Sequence, residues 1–164
     1  MRTREQCCYT VSVLIGLVAD THGELAEDAR RALAGCELIL HAGDVGPDVL
    51  PHLQAIARTV AVRGNNDTAA AESLLPPLAL LDVHGHRIAV VHRLIDAPPD
   101  GFDILVFGHC HKRHDEERAG RRSINPGAAG RRGFHRERSV ALLRIEPGVV
   151  ACEFIDLGPR SAPR

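Results

Sequence analysis

Five short apolar runs in this chain each stop at an aspartate, an asparagine or a histidine. Val13 to Ala19 runs into Asp20-Thr21-His22, and Leu38-Ile39-Leu40 runs into His41-Ala42-Gly43-Asp44. Thr59 to Arg63 ends in Gly64-Asn65-Asn66-Asp67, Ala89-Val90-Val91 in His92, and Ile104 to Phe107 in Gly108-His109-Cys110-His111. Carboxylate, amide and imidazole donors of this kind suit divalent cations such as Mn, Fe or Zn. These run ends offer roughly seven candidate ligands, too many for one tetrahedral site and enough for two adjacent ions. Two metals about 3.5–4 Å apart can clamp a phosphate ester and generate a hydroxide nucleophile near neutral pH. Such a pair needs a shared carboxylate, and Asp44 is the candidate. In Asp20-x-His22 and His109-x-His111 the outer residues fall on one side of an extended backbone, with Thr21 and Cys110 on the other.

The runs that end in these residues read as buried strands. Val11–Ala19 is rich in Val, Ile and Leu without alternation, as in a strand covered on both faces. Glu24–Ala34 has helical spacing at Leu25, Ala29, Ala32 and Leu33, with Gly35 at its C-terminus. Glu37–Ala42 is a second strand. Pro47 opens a second helix in its first turn, with Val49, Leu50, Leu53, Ile56 and Ala57 on one face. Thr59–Arg63 is a third strand. This β-α-β-α-β order implies parallel strands, and ligands in such sheets bind beyond the carboxyl ends of the strands.

The second half changes character. Ala69–Leu75 reads as a short helix stopped by Pro76-Pro77. Leu78–His84 and Arg87–His92 then flank a Gly85-His86 turn. Asp103–Phe107 and a weaker Arg121–Ile124 follow, and Ser139–Ile145 and Val149–Asp156 close the chain around Pro147-Gly148. The order predicts one α/β domain over residues 11–158: two sheets face to face, helices outside, a lead-in at 1–10 and a tail at 159–164.

The 164 residues suffice for one domain with a real core. A formal net charge of -1 argues against a general nucleic-acid or membrane-surface binder. The five cysteines are odd in number and lack C-x-x-C spacing, so they form neither a disulfide framework nor a structural zinc site. Arg2 and Arg4 before Val11–Ala19 resemble a signal peptide, but that run is short and flows straight into Asp20 and His22. No run reaches membrane-spanning length. A cytoplasmic protein is expected, and a homo-oligomer is left open.

The order D-x-H, G-D, G-N-x-D, a lone His and G-H-x-H closely resembles the calcineurin-like metallophosphoesterase superfamily. Within it, the chain is similar to the small single-domain bacterial and archaeal phosphodiesterases. The resemblance runs from about Val13 to Leu157 and includes Ile124-Asn125-Pro126-Gly127, similar to that group's N-P-G-S turn. It implies a four-layer α-β-β-α sandwich of two mixed sheets flanked by helices. It also implies that Asp20, His22 and His111 hold one divalent metal, that Asn65, His92 and His109 hold the other, and that Asp44 bridges them. Manganese is the first choice of metal, with Ni, Fe or Zn as alternatives. The implied reaction is hydrolysis of a small phosphate ester by a hydroxide that the two metals activate. Asn65, which the resemblance sets near the phosphate, Asp44 and His41 are the catalytic candidates. His41 either donates to a ligand carboxylate or is a satisfied core histidine.

The sequence departs from the family pattern at four places. Arg93 follows His92 where Gly is usual, and only about ten residues, with Pro98-Pro99 among them, separate His92 from the next strand. Asn66 stands where many members have His or Cys, and Cys110 replaces the common Thr of G-H-T-H. Cys110 reads as a small buried hydrophobe, and His52, His84, His86, His114 and His135 as surface or turn residues. Lys112–Arg138 holds nine of the twenty basic residues and four acids, a solvated face or a phosphate-attracting rim. Two rival readings come from other classes: a non-catalytic assembly scaffold, since a retromer subunit shares this fold, and a nuclease, since DNA-repair relatives share the motifs. All seven ligand positions are intact, which disfavours the scaffold. The chain lacks the length and positive charge of the nucleases.

Overall fold

The computed structural model describes residues 12–69 and 72–160. β1 (Val13–Val18), β2 (Leu38–His41) and β3 (Arg58–Ala61) are parallel, linked by α1 (Glu27–Leu33) and α2 (Val49–Gln54). β4 (Leu78–Val83) and β5 (His86–Val91) form a hairpin, followed by β6 (Ile104–Val106), β7 (Arg113–Arg118) and β8 (Arg121–Pro126). β9 (Glu137–Glu146) and β10 (Val149–Pro159) close the chain. The strands make two mixed five-stranded sheets, ordered β10-β9-β1-β2-β3 and β4-β5-β6-β8-β7.

The two sheets face each other across one apolar layer. Ile15, Leu17, Leu40, Ile88, Val106 and Leu143 meet there with almost no exposed surface. Burying each such side chain contributes about 1.5–3 kcal/mol. The other face of the first sheet packs on the two helices, with Val18 and Ile39 against Ala29, Leu33 and Leu53. Gly16 is what lets α1 come this close: a Cβ there would lie 2.5 Å from Leu33 Cδ2. Arg138, buried on β9, ties α1 down through a two-pronged pair with Asp28 at 2.8 and 2.9 Å.

The two mixed sheets are as expected. The outer layer on the second sheet is thin: a single 3-10 turn, Leu94–Asp96, stands in the connection, and Ala97 and Phe102 cover Ala89, Val91, Leu105 and Phe107. Pro98 and Pro99 deny that segment the amide donors and backbone angles a helix needs.

Several boundaries differ from expectation for local reasons. α1 starts at Glu27 rather than Glu24, because residues 22–24 are bonded to the loop after β2 and to Thr21. α2 starts at Val49 behind Asp48 at φ 64°, so Pro47 lies outside the helix. The register Val83↔His86 makes the hairpin turn His84-Gly85, not Gly85-His86; both residues have positive φ, as a type I′ turn requires. Residues 72–74 form a 3-10 turn in place of the expected helix, whose residues 70 and 71 lie outside the described ones. β7 was not anticipated: Arg-His-Asp-Glu-Glu-Arg has no apolar face, and it serves as a charged edge strand. β10 continues to Pro159, and the lead-in 1–10 lies outside the described residues. Among the described residues no helix is long and apolar enough to cross a membrane.

Candidate metal centre

Every predicted ligand sits on a loop just past a strand end, and the loops are stitched to one another. The Asp20 and His22 amides donate to the carbonyls of Gly43 and Asp44 at 3.1 and 2.9 Å. The Asp67 carboxylate, almost fully buried, accepts from the amides of Val45, Gly46 and Gly64 and so joins the second loop to the third. Gly64 has to be glycine, since a Cβ there would lie 2.1 Å from Asp44 Oδ1. Asn125 on β8 donates to the Gly108 carbonyl at 2.8 Å and to Cys110 Sγ at 3.2 Å, holding the last ligand loop.

The extended backbone expected for the paired motifs is absent. Asp20, His22, Asp44, His109 and His111 all have positive φ, between 48° and 70°. Non-glycine residues in that region cost about 1–3 kcal/mol each and concentrate at functional sites. Left-handed turns, not strand alternation, therefore aim these side chains inward. Thr21 does point the other way, buried and donating to the Val45 carbonyl at 2.8 Å. Cys110 does not: it is exposed and lines the same cavity as its neighbours, not the core.

All seven candidates converge. His111 Nε2 lies 3.3 Å from Asp20 Oδ1, and the His22 ring centre is 5.6 Å from that of His111. Asn65 Oδ1 lies 3.0 Å from His92 Nε2 and 3.1 Å from His109 Nδ1. Asp44 Oδ2 stands between the two groups, 3.9 Å from His22 Nε2 and 3.4 Å from His92 Nε2. Burial works against ionising Asp44, but hydrogen bonds from His92 and Asn66 outweigh it and hold the carboxyl well below its ordinary range. His92 Nδ1 donates to the Ala42 carbonyl at 2.8 Å, which turns Nε2 toward the centre. His41 sits behind the loops, its Nε2 bonded to Thr21 Oγ1 at 2.8 Å and to no ligand carboxylate. Complete burial pushes its pKa down to about 4 and keeps it neutral.

The donor set fits divalent metal. Asp20 Oδ1 and His22 Nε2 are buried and have no hydrogen-bond partner, an arrangement that is costly unless a cation completes it. Asp20, His22 and His111 offer atoms within 4.8 Å of one another, as do Asp20, Asp44 and His92.

The calcineurin-like phosphoesterase superfamily domain model matches residues 13–148. The chain belongs to that superfamily. It is therefore a phosphoesterase by family, a hydrolase of phosphoric ester bonds. A probable metallophosphoesterase of Methanothermobacter thermautotrophicus is 30% identical over 89% of this chain and 94% of its own length. In fold, the chain is similar to the structure of a novel archaeal phosphodiesterase, with TM-score 0.71 and 20% identity over 88% of this chain and 100% of that one. Vacuolar Protein Sorting 29 of Cryptosporidium parvum shares the fold to a similar degree, with TM-score 0.69 and 20% identity over 90% of this chain and 98% of its own.

Three residues outside the seven candidate ligands support the candidate site: Asn66 and Asp67 belong to the G-N-x-D motif, and only His135 carries no spacing signal in the sequence. Asn66 donates to both carboxylate oxygens of Asp44, through its amide nitrogen at 2.8 Å and its side chain at 2.7 Å. Asp67 fastens two loops. His135, expected at the surface, packs on His111 with ring centres 4.9 Å apart. Its Nε2 donates to the Gly130 carbonyl at 3.0 Å, so its Nδ1 accepts from His111 Nδ1. His111 is left with Nε2 bare toward Asp20.

Proposed function

We propose that this chain is a phosphodiesterase working with two divalent metal ions, manganese first and Ni, Fe or Zn as alternatives. The observation that carries the reading is Asp44 Oδ2 standing between His22 Nε2 and His92 Nε2, at 3.9 and 3.4 Å. Asp20, His22 and His111 would hold one ion, Asn65, His92 and His109 the other, and Asp44 both. Bound there, such ions supply a nucleophile from water near neutral pH and neutralise charge on the phosphate. Asn66 keeps Asp44 ionised and aimed. The Asn65 amide, exposed in the cavity lining, would sit near the phosphate. His41 acts only through Thr21 and the loop it fixes, as a positioning residue.

The substrate in this reading is a small phosphate ester: the cavity over the ligands is about 450 Å³, within the range of small-molecule sites. The unpaired thiols of Cys36, Cys110 and Cys152 fit a reducing cytoplasm. A second reading, an assembly scaffold, draws on the fold shared with Vacuolar Protein Sorting 29. A screen of phosphate monoesters and diesters against Mn, Ni, Zn, Fe and Mg separates the two. Metal-dependent turnover of diesters is expected; a metal-loaded protein inert to every ester would favour the scaffold.

A further inference from the structure

Loop 130–136 forms one wall of the cavity and is tied down at alternate residues. Arg131 pairs with Glu24 at 2.7 Å, the Gly133 carbonyl accepts from the Arg160 guanidinium, and His135 is bonded to Gly130 and His111. The residues between these tethers, Arg132 and Phe134, line the cavity. Phe134 is fully exposed and joins none of the apolar clusters. Leaving such a ring in water forgoes about 1.5–3 kcal/mol of burial. Five other large apolar side chains are exposed, Leu74, Leu80, Leu94, Ile95 and Val149, and none lines this cavity. Lys112, the only lysine of the chain, lines it too. The Lys112 and Arg132 side chains have no carboxylate partner among the described residues.

The tethered loop thus presents an aromatic face and a guanidinium with no carboxylate partner among the described residues, with the Lys112 ammonium beside them, above the candidate metal ligands. The ligand cluster addresses one phosphate, so the two extra cations answer to a second anion. Guanidinium forks match phosphate oxygens, and exposed aromatic rings hold nucleobases by stacking. We infer that the cavity takes a nucleotide-type phosphodiester, with its scissile phosphate at the ligand cluster, a base on Phe134, and a second phosphate on Lys112 and Arg132. This rests on the phosphodiesterase reading. A free dinucleotide and the end of a longer single strand offer the same chemical unit.

The test uses the manganese-loaded full chain. Initial rates are measured on methyl p-nitrophenyl phosphate, on diadenosine monophosphate with and without a 5′-phosphate, and on a 5′-phosphorylated ten-nucleotide adenosine strand. The 5′-phosphate is expected to raise kcat/KM on the dinucleotide by about tenfold, the scale of one charge-assisted contact. Phe134→Ala is expected to raise KM for that substrate by about 5- to 150-fold, the range for one stacked base. Arg132→Ala and Lys112→Ala together should erase the 5′-phosphate preference. In each variant the loss on the phosphorylated dinucleotide should exceed the loss on the methyl aryl ester by about tenfold. Binding of a phosphorothioate-linked, 5′-phosphorylated dinucleotide, read by calorimetry, should weaken in parallel. Equal rates with and without the 5′-phosphate, or variants that slow every diester alike, would overturn the inference while leaving the phosphodiesterase reading standing. No turnover of the methyl aryl ester would instead remove that reading, and calorimetric binding insensitive to Phe134→Ala would overturn the nucleotide assignment by itself. Equal turnover of the strand and the dinucleotide assigns the site to strand ends; dinucleotide preference assigns it to the free molecule.

Discussion

Nδ1 of His135 lies 2.9 Å from Nδ1 of His111, while Nε2 of His111 faces Asp20 Oδ1 at 3.3 Å. With His135 Nε2 donating to Gly130, the His111 proton is fixed on Nδ1 and its other nitrogen is left for a cation. Outer partners of this kind typically change metal affinity 10–100-fold. His135→Phe keeps the ring and removes the acceptor. Titration of the metal-free protein should show one site weakened by about that factor and the other unchanged. Two unaltered sites would mean that His111 is oriented without His135.

Asp67 is the knot between two ligand loops. Asp67→Ala strands the amides of Val45, Gly46 and Gly64, each costing about 1–3 kcal/mol when left unpaired. For a domain of this size, a loss on that scale lowers Tm by about 10 °C or more. Thermal unfolding followed by circular dichroism checks it; a drop of less than about 2 °C would mean that water replaces the carboxylate.

The candidate ligands were legible in the sequence because those side chains lie at strand ends, where apolar runs stop. All seven residues meet in the structure. The route by which they meet was not legible: positive φ at Asp20, His22, Asp44, His109 and His111 follows from loop-to-loop bonds that no local pattern announces. His135 lies 24 residues from His111, a separation that no spacing rule covers. β7 was invisible because its strand character comes from pairing with β8, not from an apolar face. The exposure of Cys110 has the same origin as the aim of its neighbours: the backbone turns at His109 and His111 where strand alternation would send the thiol into the core.

Arg138 beside Asp28 is the pair that makes acid stability measurable. Its hydrogen bonds hold the Asp28 carboxyl below the ordinary 3.8, against a smaller opposing effect of burial. A depressed carboxylate pKa stabilises the fold above the unfolded value, and that contribution is lost as pH falls through the folded value. Asp28→Asn should therefore be less stable than the parent at pH 7 and converge with it below pH 3.8. Urea unfolding of both proteins across that range tests the sign; a gap that widens as pH falls would contradict it.

Asn66 spends its amide on Asp44 and carries no acidic proton. Protonating an expelled alkoxide typically contributes 10²–10⁴-fold, and no such donor stands at this position. Aryl diesters should be cleaved far faster than alkyl diesters, with a steep negative slope of rate against leaving-group pKa. Asn66→His should flatten the slope. A flat slope in the parent protein would place the proton donor elsewhere in the cavity.

In the proposed centre one carboxylate, Asp44, would join two metals. Metal analysis of the manganese-loaded, desalted protein tests it most directly, with Asp20→Asn and Asp44→Asn measured alongside. Two equivalents are expected in the parent, loss of mainly one in Asp20→Asn, and loss of both in Asp44→Asn. A parent that holds a single ion, or an Asp44→Asn protein that keeps two, would contradict it.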